Sequence, residues 1–335
     1  MTGVTVVGAG IAGLSVAWAL AKRGREVTVR EAGEIGSGTS AVATSYLEPR
    51  LGTTPARQLE WASLARWPDF ASELEVASGM SVGFRPDGQW RYAFADTEAE
   101  VRADFEARRD ADWNVEWLSG DALREQELSI SRDVTGAALV RDPAWVDGPA
   151  ACRALAIAVE RNGGTMREHS IYAYEERARP LVVANAHGAD ALGLPLPRGR
   201  VTKGTTLFYP HAVSLSRMLR SKTLSVVPRS DGLVVGSSRE RGATTLEPDP
   251  AIVADIHNKA IRVLPELEGC TPQPRTGFRA MIGDGSLNLG RSGDVYWSLS
   301  QAGVGYLRAP LVSVELADVL CGREPGLIAP FFRKL

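Results

Sequence analysis

Three glycines near the start of the chain have the spacing of a phosphate cradle. Gly8-x-Gly10-x-x-Gly13 follows the apolar run Val4-Thr5-Val6-Val7 and enters a helical stretch from about Ile11 to Arg23, with Gly24 placed as its C-cap. In that setting Gly8 permits the tight turn, Gly10 lets a diphosphate approach the backbone, and Gly13 lets helix and strand pack closely. Free amides at the helix start, around Ile11, Ala12 and Gly13, would meet the diphosphate at the positive end of the helix. Glu31 lies eighteen residues after Gly13, at the end of a second strand over Glu26–Arg30. With Ala32 beside it, Glu31 is placed to accept hydrogen bonds from an adenosine ribose. This spacing alone does not choose between FAD and NAD.

The following segment, Gly36-Ser37-Gly38-Thr39-Ser40 and on through Ala41 to Ser45, is small and rich in hydroxyls. Gly38, Thr39, Ser40, Thr44 and Ser45 could run along the remainder of a long cofactor; the same composition also suits a solvated loop. Much later, Arg279 stands among Phe278, Ala280, Met281 and Ile282. A guanidinium fork in apolar surroundings can meet a carboxylate through two parallel charge-assisted bonds. His187 has no nearby residue to complete a catalytic pair and reads as structural. Two short basic clusters, Arg198/Arg200/Lys203 and Arg217/Arg220/Lys222, read as solvated faces, with a nucleic-acid patch as the alternative.

These residues need elements to hold them. The opening reads strand–turn–helix–strand over about thirty residues. Helices are expected over Gln58–Ser78, Asp96–Arg109, Gly148–Asn162, Ile252–Leu264 and Tyr306–Leu320, and strands over Phe84–Phe94, Val115–Leu118, Pro180–Ala184, Thr202–Tyr209, Leu224–Val227, Gly232–Gly236, Arg275–Gly290 and Val295–Leu299. Parallel material at both ends encloses antiparallel material in the middle, the pattern of a nucleotide-binding domain interrupted by a second one.

Composition limits the alternatives. The 335 residues are 44% hydrophobic and 23% charged, with a net charge of −2, so no global basic field invites nucleic acid or an anionic membrane. The three cysteines, Cys152, Cys270 and Cys321, are widely spaced and form no C-x-x-C, which fits a reducing cytoplasm and neither a disulfide framework nor a zinc site. No metal is expected. Val4–Leu20 lies where a signal peptide would, but its glycines and the basic Lys22 and Arg23 after it give the opposite charge order. No other run approaches the ~18 apolar residues of a membrane span. The expectation is a soluble, cytoplasmic protein with no membrane partner.

The sequence resembles the D-amino-acid oxidase-like FAD-dependent oxidoreductase superfamily, and within it the glycine oxidases of the thiamine pathway. The stretches that carry the resemblance are V-V-G-A-G-I-A-G-L-S-V-A-W-A-L, G-S-G-T-S-A-V-A-T-S-Y-L-E-P, the segments Trp67–Gly88 and Val115–Glu127, V-V-P-R-S-D-G-L-V-V-G-S-S, and G-F-R-A-M-I-G-D-G. They run through nearly the whole chain in family order. The resemblance implies an α/β fold: an FAD-binding Rossmann-like domain of the glutathione-reductase type (1–82, 140–195 and 276–335), interrupted by an α+β substrate domain with an antiparallel sheet (83–139 and 196–275). FAD is implied as a noncovalent cofactor. Arg279 matches the arginine that grips the substrate carboxylate, and Asp284-Gly285 a tight turn after it. Ile171 and the turn Ala184-Asn185-Ala186 match cofactor neighbours. Gly303, Val304, Gly305 and Tyr306 match a glycine-rich entry to the last helix, whose amides would face the reduced flavin.

The implied reaction is oxidative deamination of a small amine or amino acid. Hydride passes from Cα–H to flavin N5, the imine hydrolyses, and O2 is the expected acceptor, giving H2O2. Two other readings stay open: removal of the carboxymethyl group of a modified wobble uridine in tRNA, suggested by A-N-A-H-G and R-A-P-L-V-S-V-E-L-A, and flavin binding without turnover. A homo-oligomer is compatible with all three. Three departures from the glycine oxidases weigh against glycine itself as substrate. Ser225 stands where they place a carboxylate-binding tyrosine, Ser300-Gln301-Ala302-Gly303-Val304-Gly305 replaces a segment with a second arginine, and His169–Val183 is shorter than usual.

Overall fold

The computed structural model describes residues 3–173, 180–211, 213–282 and 287–335. Its first strand, β1 (Val4–Val7), pairs in parallel with β2 (Val27–Arg30) on one side and with the strand Leu181–Val183 on the other. The three are rich in valine and leucine, as strands covered on both faces are. The full sheet has seven strands in the order Phe332–Lys334, Leu287–Ser292, Val295–Gln301, Leu181–Val183, β1, β2, Thr165–Arg167. Among the described residues, only Leu287–Ser292 and Val295–Gln301 pair antiparallel within it.

Helix α1 (Ile11–Ala21) joins β1 to β2, and every residue of it except Ala12 is buried. A helix apolar on all sides must be covered on all sides. Here the helices Gly148–Arg161 and Gly305–Leu320 pack against it. Asp147 caps the first of these by accepting from the Ala150 amide at 3.0 Å, with Pro149 in the first turn.

The larger sheet has nine strands. Glu240–Arg241, Gly199–Pro210, Gly232–Gly236, Ser225–Arg229, Met218–Arg220, Gln89–Phe94, Val134–Val140 and Val115–Ser119 follow in order, and Gln273–Ile282 pairs along Gly199–Pro210. Strand alternation gives its faces different characters. One face sends Leu207, Tyr209, Leu219, Val226 and Val235 into a core closed by the helix Pro250–Val263. The other carries Gly204, Gly277, Thr206, Gly236 and Ser225, a floor of small residues.

Several expected elements differ. The helix expected over Gln58–Ser78 is two, Pro55–Ala65 and Trp67–Ser78, broken at Arg66. Pro68 explains the break, because a proline in a helix interior removes an N–H and clashes with the carbonyl four residues back. The strand expected over Phe84–Phe94 is regular only over Gln89–Phe94, with a lone bridge from Arg85 to Trp145. Pro86 and Gly88, the latter at φ +76°, interrupt the rest. Arg275–Gly290 resolves into Gln273–Ile282 and Leu287–Ser292. Asp284 and Gly285 lie outside the described residues, as do 174–179 of the shortened His169–Val183 segment. Val134–Val140 is a central strand that its sequence did not announce.

Candidate cofactor and substrate site

The glycine-rich turn is built so that no side chain fits. Gly8 has φ +104°, and a Cβ on it would lie 2.7 Å from the Ala184 carbonyl oxygen. A Cβ on Gly13 would lie 2.0 Å from the Gly8 carbonyl oxygen. Gly10 is the α1 N-cap, with extended backbone and no capping side chain. The first intrahelical bond is from the Leu14 amide to the Gly10 carbonyl. The Ile11 amide donates to Ser40 Oγ at 3.0 Å. The amides of Ala12 and Gly13 have no acceptor among the described residues, the open end that an anion fills.

Glu31 turns its carboxylate back toward this turn. Its Oε2 accepts from the Ala9 amide at 2.7 Å and its Oε1 from the Gly33 amide at 3.0 Å. Each oxygen keeps a lone pair for a ribose hydroxyl. Ala32 is exposed beside it. Ile171 is 76% exposed, and its carbonyl accepts from Arg30 Nη2 at 2.7 Å.

The hydroxyl-rich segment is more ordered than a loop. Gly38 caps a short helix, α2 (Thr39–Val42), which leads to β3 (Tyr46–Leu47). Thr39 Oγ1 donates to the Phe278 carbonyl at 2.5 Å, and Tyr306 Oη donates to the Ser40 carbonyl at 2.8 Å. Thr44 and Ser45 are buried. The segment therefore ties α1, the last helix and the strand of Arg279 together.

Backbone strain marks the same place. Among the described residues, six non-glycine residues have positive φ: Ser45, Asp112, His169, Ala186, His211 and Ala302. Asp and His tolerate that region better than most residues. Ser45, Ala186 and Ala302 remain; the first two are among the residues expected to touch the cofactor, and Ala302 adjoins Gly303. Ala184 ends its strand with its amide on the Val7 carbonyl, and Asn185 Oδ1 is buried without a partner. Gly303 (φ +77°) has open space where a Cβ would stand, as does Gly38. Val304 is the N-cap of the last helix, which Gly305 begins. The cradle, the free first-turn amides and the orphaned Asn185 oxygen suit a dinucleotide stretched from Glu31 past Gly38 to Gly303.

Arg279 projects from Gln273–Ile282 onto the small-residue floor. Opposite it on the neighbouring strand is Thr202, and two residues along is Gly204. A Cβ on Gly204 would lie 2.4 Å from Arg279 Nη1, so the guanidinium rests on bare backbone. Nη1 donates to the Ser238 carbonyl at 3.0 Å and Nη2 to Ser237 Oγ at 2.7 Å. No carboxylate pairs with it among the described residues. Burial and the nearby Arg239 pull its pKa below the ordinary arginine value. On the same face, the Cβ position of Gly277 is 3.3 Å from Thr39 Cα, so floor and α2 meet closely beside Arg279.

Packing bears on two further readings. His187 lies edge-on to Phe278, ring centroids 5.5 Å apart. The basic clusters are not uniformly solvated faces. Lys203 is 5% exposed and pairs with Glu240 at 2.9 Å, and Arg220 is drawn inward to Glu48. Tertiary pairing with distant acids, invisible in a local run of charges, is the reason. Tyr46, Glu48 and Arg220 were not among the residues expected at the site. Glu48 in Y-L-E-P, an acid between apolar neighbours, was the available hint.

Comparison with known proteins identifies the family. Residues 3–319 match the family described as FAD dependent oxidoreductase. A glycine oxidase of Bacillus licheniformis is 28% identical over 95% of this chain and 92% of the relative. One of the subunits of an opine oxidase from Agrobacterium tumefaciens is 27% identical over 84% of this chain and 83% of the relative. The crystal structure of a glycine oxidase from Bacillus cereus superposes with a TM-score of 0.88 at 21% identity, covering 99% of this chain and 98% of that one. Among the described residues no helix is long and apolar enough to cross a membrane.

Proposed function

This chain belongs to the FAD-dependent oxidoreductases of the D-amino-acid oxidase type, and on that premise we propose that it oxidises a small amine or amino acid bearing a carboxylate. FAD is the cofactor, and when bound it supplies the acceptor for the two electrons of a C–H bond next to nitrogen. Gly8, Gly10, Gly13, Ile11 and Ala12 would hold the diphosphate, Glu31 and Ala32 the ribose end. Gly38, Thr39, Ser40, Thr44, Ser45, Ile171, Ala184, Asn185, Ala186 and Gly303 to Tyr306 would line its remaining length. We place the cofactor-bearing unit at 1–82, 140–195 and 276–335 and the substrate unit at 83–139 and 196–275, with the strand Gln273–Ile282 crossing from one to the other.

The observation that carries the reading is Arg279: a guanidinium laid across Gly204, without a carboxylate partner among the described residues, beside the α2 segment. The Ser237 and Ser238 oxygens fix the plane of the fork. A substrate carboxylate would take its free edge, turning the amine-bearing carbon toward the cofactor. Such a site needs orientation more than a general base. O2 is the acceptor we propose.

Peroxide release from glycine, sarcosine, proline and D-amino acids tests the reading, with Arg279→Ala alongside. Loss of the fork should weaken substrate interaction by about 2–5 kcal/mol, read as kcat/KM. Unchanged kinetics in the variant would remove Arg279 from the site.

A further inference from the structure

A second guanidinium faces the same floor. Arg220 is opposite Ser225, Ser225 opposite Gly236, and Gly236 opposite Thr206, so the four form one row across four strands. Directly opposed residues share a face. Thr206 is two residues from Gly204, which puts that row on the face where Arg279 lies. Arg220 Nη1 donates to Ser225 Oγ, the hydroxyl standing where the related glycine oxidases are expected to carry a tyrosine. The guanidinium carbon lies 4.2 Å from the centre of the Tyr46 ring, which fixes its orientation.

The charges around Arg220 do not balance. Glu48 Oε1 already meets Arg91 at 3.2 Å, Arg108 at 3.0 Å and Gln89 Nε2 at 2.7 Å. Asp104 takes Arg91 at 2.6 Å and Arg108 at 2.8 Å. Three guanidiniums thus share two carboxylates. Arg220 has the longest contact, 3.4 Å to Glu48 Oε2, and its Nε is buried without a partner. Its side chain is still 18% accessible. Against its burial, Tyr46 and Glu48 keep the guanidinium charged, and its accessible edge can meet a further anion through charge-assisted bonds.

We propose that the substrate carries two carboxylates, one held by Arg279 and the other by Arg220, with the amine-bearing carbon between them above Ser225 and Gly236. This rests on the reading that Arg279 grips a carboxylate. Arg220 bonds into the strand Ser225–Arg229, and Arg279 bonds to Ser237 and Ser238 just past the end of the adjacent strand Gly232–Gly236. The Arg279 fork rests over Gly204, while Arg220 bonds Ser225 two strands away and two residues along, so the forks stand on the order of 12 Å apart, a span that includes the carboxylates between them. A small amino- or imino-dicarboxylic acid spans that distance; a simple α-amino acid reaches only one fork. Ser225 leaves the space over which the longer molecule lies.

Calorimetric titration of the FAD-loaded protein with oxydiacetate and with methoxyacetate tests this. The two ligands have similar length and no oxidisable amine, and they differ by one carboxylate. The dianion is expected to bind about tenfold or more tighter, as a charge-assisted bond requires. Arg220→Met should collapse that ratio toward one, and Arg220→Lys should retain part of it. Equal affinities in the wild type would overturn the proposal with no variant needed, as would an Arg220→Met protein that keeps the preference. If methoxyacetate binds and Arg279→Ala abolishes its binding, the Arg279 reading stands whatever the ratio. If neither ligand binds, both readings fall.

Discussion

Removal of Glu60 should destabilise this chain measurably. It is fully buried in the helix Pro55–Ala65 and bonds Arg308 Nη2 at 2.6 Å, where Arg308 is itself 1% exposed in the last helix. Arg50 and Arg57 also reach Glu60, but their side chains are 42% and 21% exposed and can turn to water. Arg308 cannot. In Glu60→Met its remaining partner is the Gln301 carbonyl at 3.2 Å. Breaking a buried pair by deleting one partner costs about 3–5 kcal/mol, whereas replacing both by apolar groups is close to neutral. Unfolding entropy for 335 residues is roughly 0.7 kcal/mol per kelvin, so the single variant should melt about 4–7 °C lower. Glu60→Met/Arg308→Met should recover most of that. Melting is followed with FAD in excess, so that cofactor release does not enter the comparison. A silent single variant, or a double variant as unstable as the single, would refute the reasoning. The pH dependence follows in sign. Burial pushes the Glu60 carboxyl up, but the bonds from Arg50 and the charge of Arg308 outweigh it and hold it below the usual 4.5. A carboxylate depressed in the folded state stabilises fully above its unfolded value and loses that contribution as pH falls through the folded one. The gap between wild type and Glu60→Met should hold steady from neutral pH down toward 5 and close below 4.5.

Gly204→Ala should spare the fold and displace the Arg279 fork, because the new Cβ meets only the far end of a movable side chain at 2.4 Å. KM for a carboxylate substrate is expected to rise about tenfold, the factor for about 1.4 kcal/mol, with FAD retained; an unchanged KM would separate the fork from the substrate. Cys152 lies buried against the hydroxyl of Tyr306, and burial pushes its thiol up to about 11. Its thiolate should be roughly a hundredfold scarcer than that of an ordinary cysteine near neutral pH, so alkylation of the native protein near pH 8 should label exposed Cys321 and leave Cys152. Mass spectrometry showing Cys152 labelled in the folded protein would contradict this.

What could be read from the sequence was what the backbone itself demands. Gly8 and Gly13 have no room for a side chain, and that requirement shows as residue type at fixed spacing without any tertiary knowledge. The valines of β1 and the apolar length of α1 were legible for the same reason, since their burial is written in local composition. The Pro68 break was legible too, but the periodicity of Gln58–Ser78 overrode it. Charges were another matter. Arg220 and Lys203 sat in runs that look like solvated faces, and only the folded sheet brings Glu48 and Glu240 to them.

The same asymmetry separates the two ends of the proposed site. A dinucleotide is held mainly by backbone amides, and backbone geometry leaves glycines behind as a record. A carboxylate is held by side chains drawn from separate strands. Arg279 stood out by its apolar neighbours, but its relation to Gly204, and that of Arg220 to Ser225, comes through a register that sets Gly204 two residues from the partner of Arg279 and Ser225 opposite Arg220. Specificity in this fold is therefore to be sought in the cross-strand rows of the nine-stranded sheet. Ser225 matters in its row through its neighbour, the Arg220 guanidinium that donates to its Oγ.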